Sequence, residues 1–257
     1  MLPDREFPAD PYPGAVPRCS FVHLDELSHP LRPDRTALAG WRVGTTDLDD
    51  WLTERDAATV AARLPLLVYG SNRCPSKITW LRRHLGLAGP VVVIRAVTRD
   101  VAAVWAAGLR QRDGQRPAVL TAAPGVTEQH AVWFATPDQI EVLDRCEGRG
   151  DRYRLARLAT TVRTEDGTLV DGPWCYLGLG AIRRPLLVGA VGGVGGVGGV
   201  PVRCADLPQH NARHLDGRPA AGDGLDAETV HGAPHPDQRP RSCTADPKSA
   251  LSSSSRA

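Results

Sequence analysis

A short apolar run that ends abruptly in turn chemistry sets the terms for this chain. Pro65-Leu66-Leu67-Val68 passes without a spacer into Tyr69-Gly70-Ser71-Asn72, and Pro75 follows closely. So short a run, bounded by glycine, asparagine and proline, reads as a strand entering a tight turn. Similar segments recur. The β-branched stretch PVVVIRAV (90–97) reads as a buried strand. RPAVLTAAPG (116–125) and EQHAVWFAT (128–136) read as two strands joined by a Pro-Gly turn, and 154–163 with 168–177 form a hairpin around Asp166-Gly167. Residues 101–109, VAAVWAAGL, fit a strand or a helix. Helical patterns are fewer: 47–64 with Thr46 as cap, 78–85 with Ser76 as cap, and 137–147.

Composition narrows the class. The chain has 257 residues, enough to bury a core, and a net charge of +2. No single-sign field is expected, so neither nucleic acid nor a membrane surface is an expected partner. Nearly all basic residues are Arg; only Lys77 and Lys248 are lysine, a bias expected of a GC-rich bacterial genome. The N-terminus has acidic residues and prolines where a signal peptide has its apolar segment, and no run approaches the ~20 apolar residues of a membrane helix. A cytoplasmic location is expected. The six cysteines carry no CxxC and read as free thiols.

The segment 136–148 holds the most informative side chain. Thr136 is an N-cap, Pro137 occupies the first helical position, Gln139 completes a capping box and Gly148 stops the helix. With Ile140 at 0° and about 100° per residue, Leu143 falls near 300° and Glu147 near 340°, whereas Glu141 and Arg145 fall on the far side. Glu147 therefore projects from the apolar stripe, in the last turn, where the helix dipole disfavours a negative charge. Burial and dipole together are expected to raise its pKa toward the range of a general base or acid. The structural alternative is a carboxylate turned to solvent or paired with Arg149 or Arg152.

A strand ending in Tyr69-Gly70-Ser71-Asn72 and a Leu143-Asp144-x-x-Glu147-Gly148 segment about 75 residues later, with the intervening PAVLTAAPG segment and following strand in the same order, resemble the γ-glutamylcyclotransferase-like family, over roughly residues 65–180. The resemblance implies an α+β fold, a small mixed β-barrel or sheet with flanking helices. It implies an enzyme acting on a small-molecule γ-glutamyl amine or peptide, whose α-amine attacks its own γ-carbonyl to release 5-oxoproline. It makes Glu147 the catalytic acid/base, and Tyr69, Gly70, Ser71, Asn72 and Tyr153 substrate-binding residues, with no cofactor and no metal. The turn would offer backbone N–H groups to a carboxylate or oxyanion. Tyr153 also reads as a core aromatic and Ser71 as a turn hydroxyl. One departure touches the site: many relatives have Tyr-x-Arg after the glutamate, and here the residues are Tyr153-Arg154-Leu155. A non-catalytic binding module on the same fold, and an amide hydrolase or acyltransferase in the same pocket, are the competing readings.

Other motifs carry less. Gly193 to Gly198 matches GxGxxG, but within a Gly-Gly-Val repeat closed by Pro201. Cys74 precedes Pro75 and has no base partner in sequence, and His210, His214 and Cys204 lack a convincing fourth metal ligand. The expected organisation is a loose Pro-rich start within an N-terminal extension bearing one amphipathic helix (1–64), the main domain (65–188), a Gly/Val loop (189–200), a segment packed on the domain (201–232) and a disordered tail (233–257).

Overall fold

The computed structural model describes residues 1–189 and 199–233. Most of the expected Gly/Val loop and nearly all of the expected tail lie outside the described residues. The N-terminal part contributes β1 (Leu2–Pro3), β2 (Phe21–Leu24), β3 (Leu27–Pro33), β4 (Trp41–Val43) and β5 (Thr46–Asp47), then α1 (Leu48–Thr53). The central part runs β6 (Leu64–Val68), α2 (Pro75–Leu85), β7 (Val91–Trp105), β8 (Ala118–Ala135) and α3 (Pro137–Glu147). It continues with β9 (Tyr153–Leu158), β10 (Thr161–Thr164), β11 (Leu169–Asp171) and β12 (Trp174–Gly178). Short elements follow: β13 (Leu186–Val188), β14 (Val200–Pro201), α4 (Gln209–Ala212), β15 (Arg218–Pro219) and β16 (Ala227–Thr229).

The fold is α+β, with one large, mostly antiparallel sheet in the order β16-β9-β12-β6-β8-β7-β2-β3-β4-β5. Among the described residues its two ends do not pair, so of the expected barrel or sheet the structure has the open sheet and not the barrel. The N-terminal residues are not a helical extension either. β2 pairs with β7 at Phe21↔Val93 and Val22↔Val92, which carries the sheet onward through β3, β4 and β5.

Helix α1 ends after six residues, for a local reason. Asp47, not Thr46, caps it by accepting the Asp49 N–H, and Leu48, Trp51 and Leu52 fill the buried face. Asp56 then takes φ 51, and the Ala57 N–H reaches back to the Leu52 carbonyl while that of Asp56 reaches Thr53. This is a Schellman closure with aspartate in the left-handed position.

The Pro124-Gly125 pair does not turn the chain. β8 is one strand, antiparallel to β7 along its length, and residues 123–126 bulge opposite Asp100 alone, between the pairs Arg99↔Thr127 and Val101↔Ala122. The Asp100 carboxylate accepts the Gly125 N–H at 2.7 Å, so the turn residues serve the bulge. The ambiguous 101–109 stretch begins as the second half of β7.

Helices α2 and α3 lie against each other on one face of the sheet, closing a core built on Leu66, Ile78, Leu81, Trp133, Ile140 and Leu143. Truncating a fully buried tryptophan such as Trp133 to alanine costs about 3–5 kcal/mol. The opposite face holds Leu67, Trp105, Leu120 and Val132 beneath the 201–232 segment.

The first sixteen residues are not loose. Asp4 is buried, pairs with His23 Nε2 at 3.0 Å and accepts the Thr79 hydroxyl, and the Ser76 hydroxyl donates to the Asp4 carbonyl at 2.9 Å. Tyr12 is buried against Trp105, their ring centroids 6.4 Å apart. The segment is ordered by tertiary contacts that no local pattern announces.

Candidate active site

Topology gathers the site. β6 and β12 are parallel neighbours, so their C-terminal ends lie together. β9 is antiparallel to β12 and starts there, with Tyr153 opposite Gly178. Helix α3 ends at Glu147 just before β9, and α2 begins just after the turn that follows β6. These ends surround a pocket of about 920 Å³. Glu147, Tyr69, Gly70, Ser71, Asn72 and Tyr153 all line it.

The contact between the two motifs is direct. Asn72 is buried, and its Nδ2 donates to Glu147 Oε1 at 2.8 Å, across 75 residues of sequence. The Glu147 side chain is half-buried on the pocket wall, neither free in solvent nor paired with Arg149 or Arg152. Those arginines have other work. Arg149 bonds Asp144 at 2.9 Å, and Arg152 donates to the carbonyls of Glu147 (3.1 Å) and Cys146 (2.9 Å), capping the negative end of α3. Gly148 makes this possible. It sits at φ +67, and a Cβ there would lie 2.8 Å from Arg152 Nε.

The turn after β6 is a single 3-10 turn, Ser71–Arg73, with Gly70 as its N-cap. The N–H groups of Ser71 and Asn72 precede its first internal bond and are not consumed by it. The Tyr69 hydroxyl is committed downward, donating to the Tyr176 carbonyl at 2.6 Å, so the ring walls the pocket while its polar end anchors β12. The Tyr176 hydroxyl in turn donates to Asp144 at 2.7 Å, which steadies α3. Tyr153 is buried, with the Arg183 guanidinium 5.9 Å from its ring centroid.

Sequence reasoning missed Tyr12. It lies in a Pro-rich stretch without periodicity, yet it lines the same pocket. Its hydroxyl accepts the Ala118 N–H at 3.0 Å, so the phenolic proton remains available to donate. The same oxygen lies 2.8 Å from where a Cβ on Gly70 would be, so glycine at 70 is what lets the N-terminal segment reach the turn. Burial pushes the hydroxyls of Tyr12 and Tyr153 upward, with the nearby Glu147 charge adding to the effect. Both remain protonated donors at neutral pH.

Cys74 lies outside the pocket wall. It is fully buried, its thiol donates to the Phe7 carbonyl at 3.4 Å, and burial raises its pKa, which suits packing rather than attack. His210 and His214 are exposed, and the latter accepts from Arg213. Among the described residues no cluster of three or more His, Cys, Asp or Glu side chains is arranged to hold a metal, and no helix is long and apolar enough to cross a membrane.

No family model matches the sequence, and no curated protein matches it. Among solved structures the chain is similar to an uncharacterized protein from Homo sapiens, with a TM-score of 0.39 and 18% identity over 46% of this chain and 68% of that one. It is similar also to a gamma-glutamyl cyclotransferase, with a TM-score of 0.38 and 19% identity over 45% of this chain and 66% of that one. For YkqA from Bacillus subtilis the TM-score is 0.34 and the identity 14%, over 55% and 48% respectively. In each case the likeness takes in about half of this chain.

Proposed function

We propose that this protein is a cyclotransferase that acts on a γ-glutamyl amine or peptide and releases 5-oxoproline, with Glu147 as general acid and base. The observation that carries the reading is the Asn72–Glu147 hydrogen bond on the wall of one pocket. It joins a turn with unspent N–H groups to a half-buried carboxylate held in one orientation.

The reaction is intramolecular, so no protein nucleophile is needed. The substrate must be folded until its α-nitrogen lies within reach of its γ-carbonyl carbon, which removes much of the entropic barrier. Glu147 accepts a proton from the α-ammonium, and the freed amine adds to the carbonyl. As the C–N bond to the leaving amine breaks, Glu147 returns the proton to the departing nitrogen, and the ring nitrogen, cationic on addition, sheds its second proton to solvent as the lactam forms. The N–H groups of the 70–72 turn receive the substrate carboxylate or the developing oxyanion, and the Tyr12 hydroxyl is a second donor at the same place. Asn72 keeps the reactive oxygen of Glu147 directed at the pocket. A panel of γ-glutamyl amines and dipeptides, read by chromatography for 5-oxoproline, tests the reading. Release of 5-oxoproline supports it; free glutamate in its place assigns the pocket to an amide hydrolase.

A further inference from the structure

The pocket wall carries more positive charge than one γ-glutamyl carboxylate requires. Six cationic side chains line it, against the carboxylates of Glu147 and Asp151. Arg110 and Arg112 share Asp113 as a partner, at 2.7 and 3.1 Å. Among the described residues the other four, Lys77, Arg145, Arg152 and Arg183, have no carboxylate within ion-pair distance. Two of these four are also buried: Lys77 and Arg183 are each 8% exposed.

Their surroundings leave them unsatisfied. Lys77 Nζ has the weak acceptor Cys146 Sγ at 3.3 Å and the Trp80 ring at 3.8 Å. Arg183 Nε and Nη1 are buried without a hydrogen-bond partner. Arg183 is nevertheless built into place. It closes a short 3-10 turn, Ala181–Arg183, and its carbonyl lies 2.0 Å from where a Cβ on Gly178 would be, so only glycine at 178 admits it. A buried cation without an anion is costly, and a protein that keeps two of them lining one pocket gains when an anion arrives. A guanidinium with free donors suits a carboxylate or phosphate in particular.

We infer that Arg183, supported by Lys77, is an anion-binding residue of this pocket that holds a carboxylate or phosphate on the departing half of the substrate. The turn at 70–72 is left for the glutamyl carboxylate. The preferred substrate is then a γ-glutamyl compound whose leaving amine is itself anionic, rather than an alkylamine or a polyamine. The choice of substrate half rests on the cyclotransferase reading; the anion site does not.

Two measurements separate the two claims. The first is calorimetric titration of the full chain with inorganic phosphate at constant ionic strength set by chloride. The wild type is expected to show saturable binding that weakens at least about 10-fold in Arg183→Gln and in Lys77→Met, the scale of one lost charge-assisted hydrogen bond. Arg99→Gln, exposed and outside the pocket, is the control. Circular dichroism confirms folding, and because Arg183 is unpaired in the free protein its neutralisation should not lower the unfolding midpoint. Phosphate binding equal in all four proteins, or absent from the wild type, overturns the anion site. The second measurement compares γ-glutamylglycine with γ-glutamylmethylamide. The wild type should favour the former, and Arg183→Gln should reduce that preference about 10–100-fold. An equal loss on both compounds places Arg183 on the glutamyl carboxylate and overturns the assignment to the leaving half. Phosphate binding that depends on Arg183, with neither compound turned over, leaves the anion site standing and refutes the cyclotransferase reading instead.

Discussion

Replacing Gly70 with alanine tests whether the N-terminal segment truly closes one wall of the pocket. The added methyl would lie 2.8 Å from Tyr12 Oη, and the next nearest atom is Tyr12 Cζ at 3.8 Å. The first distance is well inside van der Waals contact, and the second is comfortable. The hydroxyl has little room to retreat. It holds the Ala118 N–H at 3.0 Å, its ring packs against Trp105, and Arg110 stacks 4.6 Å above it. Overpacking of this kind costs about 1–3 kcal/mol. Tyr12→Phe alone leaves the Ala118 N–H without its acceptor and costs about 1–3 kcal/mol by a separate route. In the double variant the clashing oxygen is gone, so Gly70→Ala should then cost less than about 0.5 kcal/mol. Urea unfolding of the four proteins closes the cycle, with equal m-values as the check on comparison. A coupling of about 1–3 kcal/mol is expected; costs that add within about 0.5 kcal/mol mean that Tyr12 is not against the turn, and the reasoning fails.

Two further perturbations follow from the same contacts. Asn72→Ala removes the donor to Glu147 and should lower kcat/KM about 10–100-fold while changing stability by less than about 1 kcal/mol; unaltered turnover would detach Asn72 from the chemistry. His130 is fully buried on β8, and burial, aided by the Arg73 guanidinium, pushes its pKa down to about 3. Glu128 lies 3.7 Å away, and burial pushes that carboxyl up. The folded state therefore binds the His130 proton more weakly than the unfolded chain. Stability from this site is complete above pH 6.5 and is lost as pH falls from there toward about 3, at up to roughly 1.4 kcal/mol per pH unit. His130→Gln should flatten that part of the urea-midpoint profile relative to wild type, and parallel profiles would contradict the assignment.

What could be read from the sequence follows from how local each signal is. Helix α3 was legible to the residue, because its capping box, first-turn proline and terminal glycine all lie within it. The same local rules placed Glu147 on the inward face, one turn after buried Leu143. The end of β6 was legible because apolar residues meet turn residues abruptly there. Elements held by distant partners were not. Strands β2 to β5 are short and set by pairing with β7, and the Pro124-Gly125 signal fits a bulge as well as a turn until the partner strand is known. The site divides the same way. Asn72 and Glu147 announce themselves through motifs, whereas Tyr12 reaches the pocket through Asp4, Ser76, Thr79 and Ala118, contacts between residues far apart in the chain. Arg183 follows β12 in a turn with no periodicity, and only its missing partners mark it.

In the proposed reaction Glu147 moves the protons in a cyclisation that the 69–72 turn and Tyr12 frame. Its most direct test is to incubate wild type and Glu147→Gln with the γ-glutamyl compound the panel selects. 5-Oxoproline is followed by mass spectrometry and substrate binding by calorimetry. The wild type should release 5-oxoproline, and the variant should do so at least about 100-fold more slowly, the low end of a general acid–base contribution, with binding within a few-fold of wild type. Undiminished 5-oxoproline release by Glu147→Gln contradicts this role.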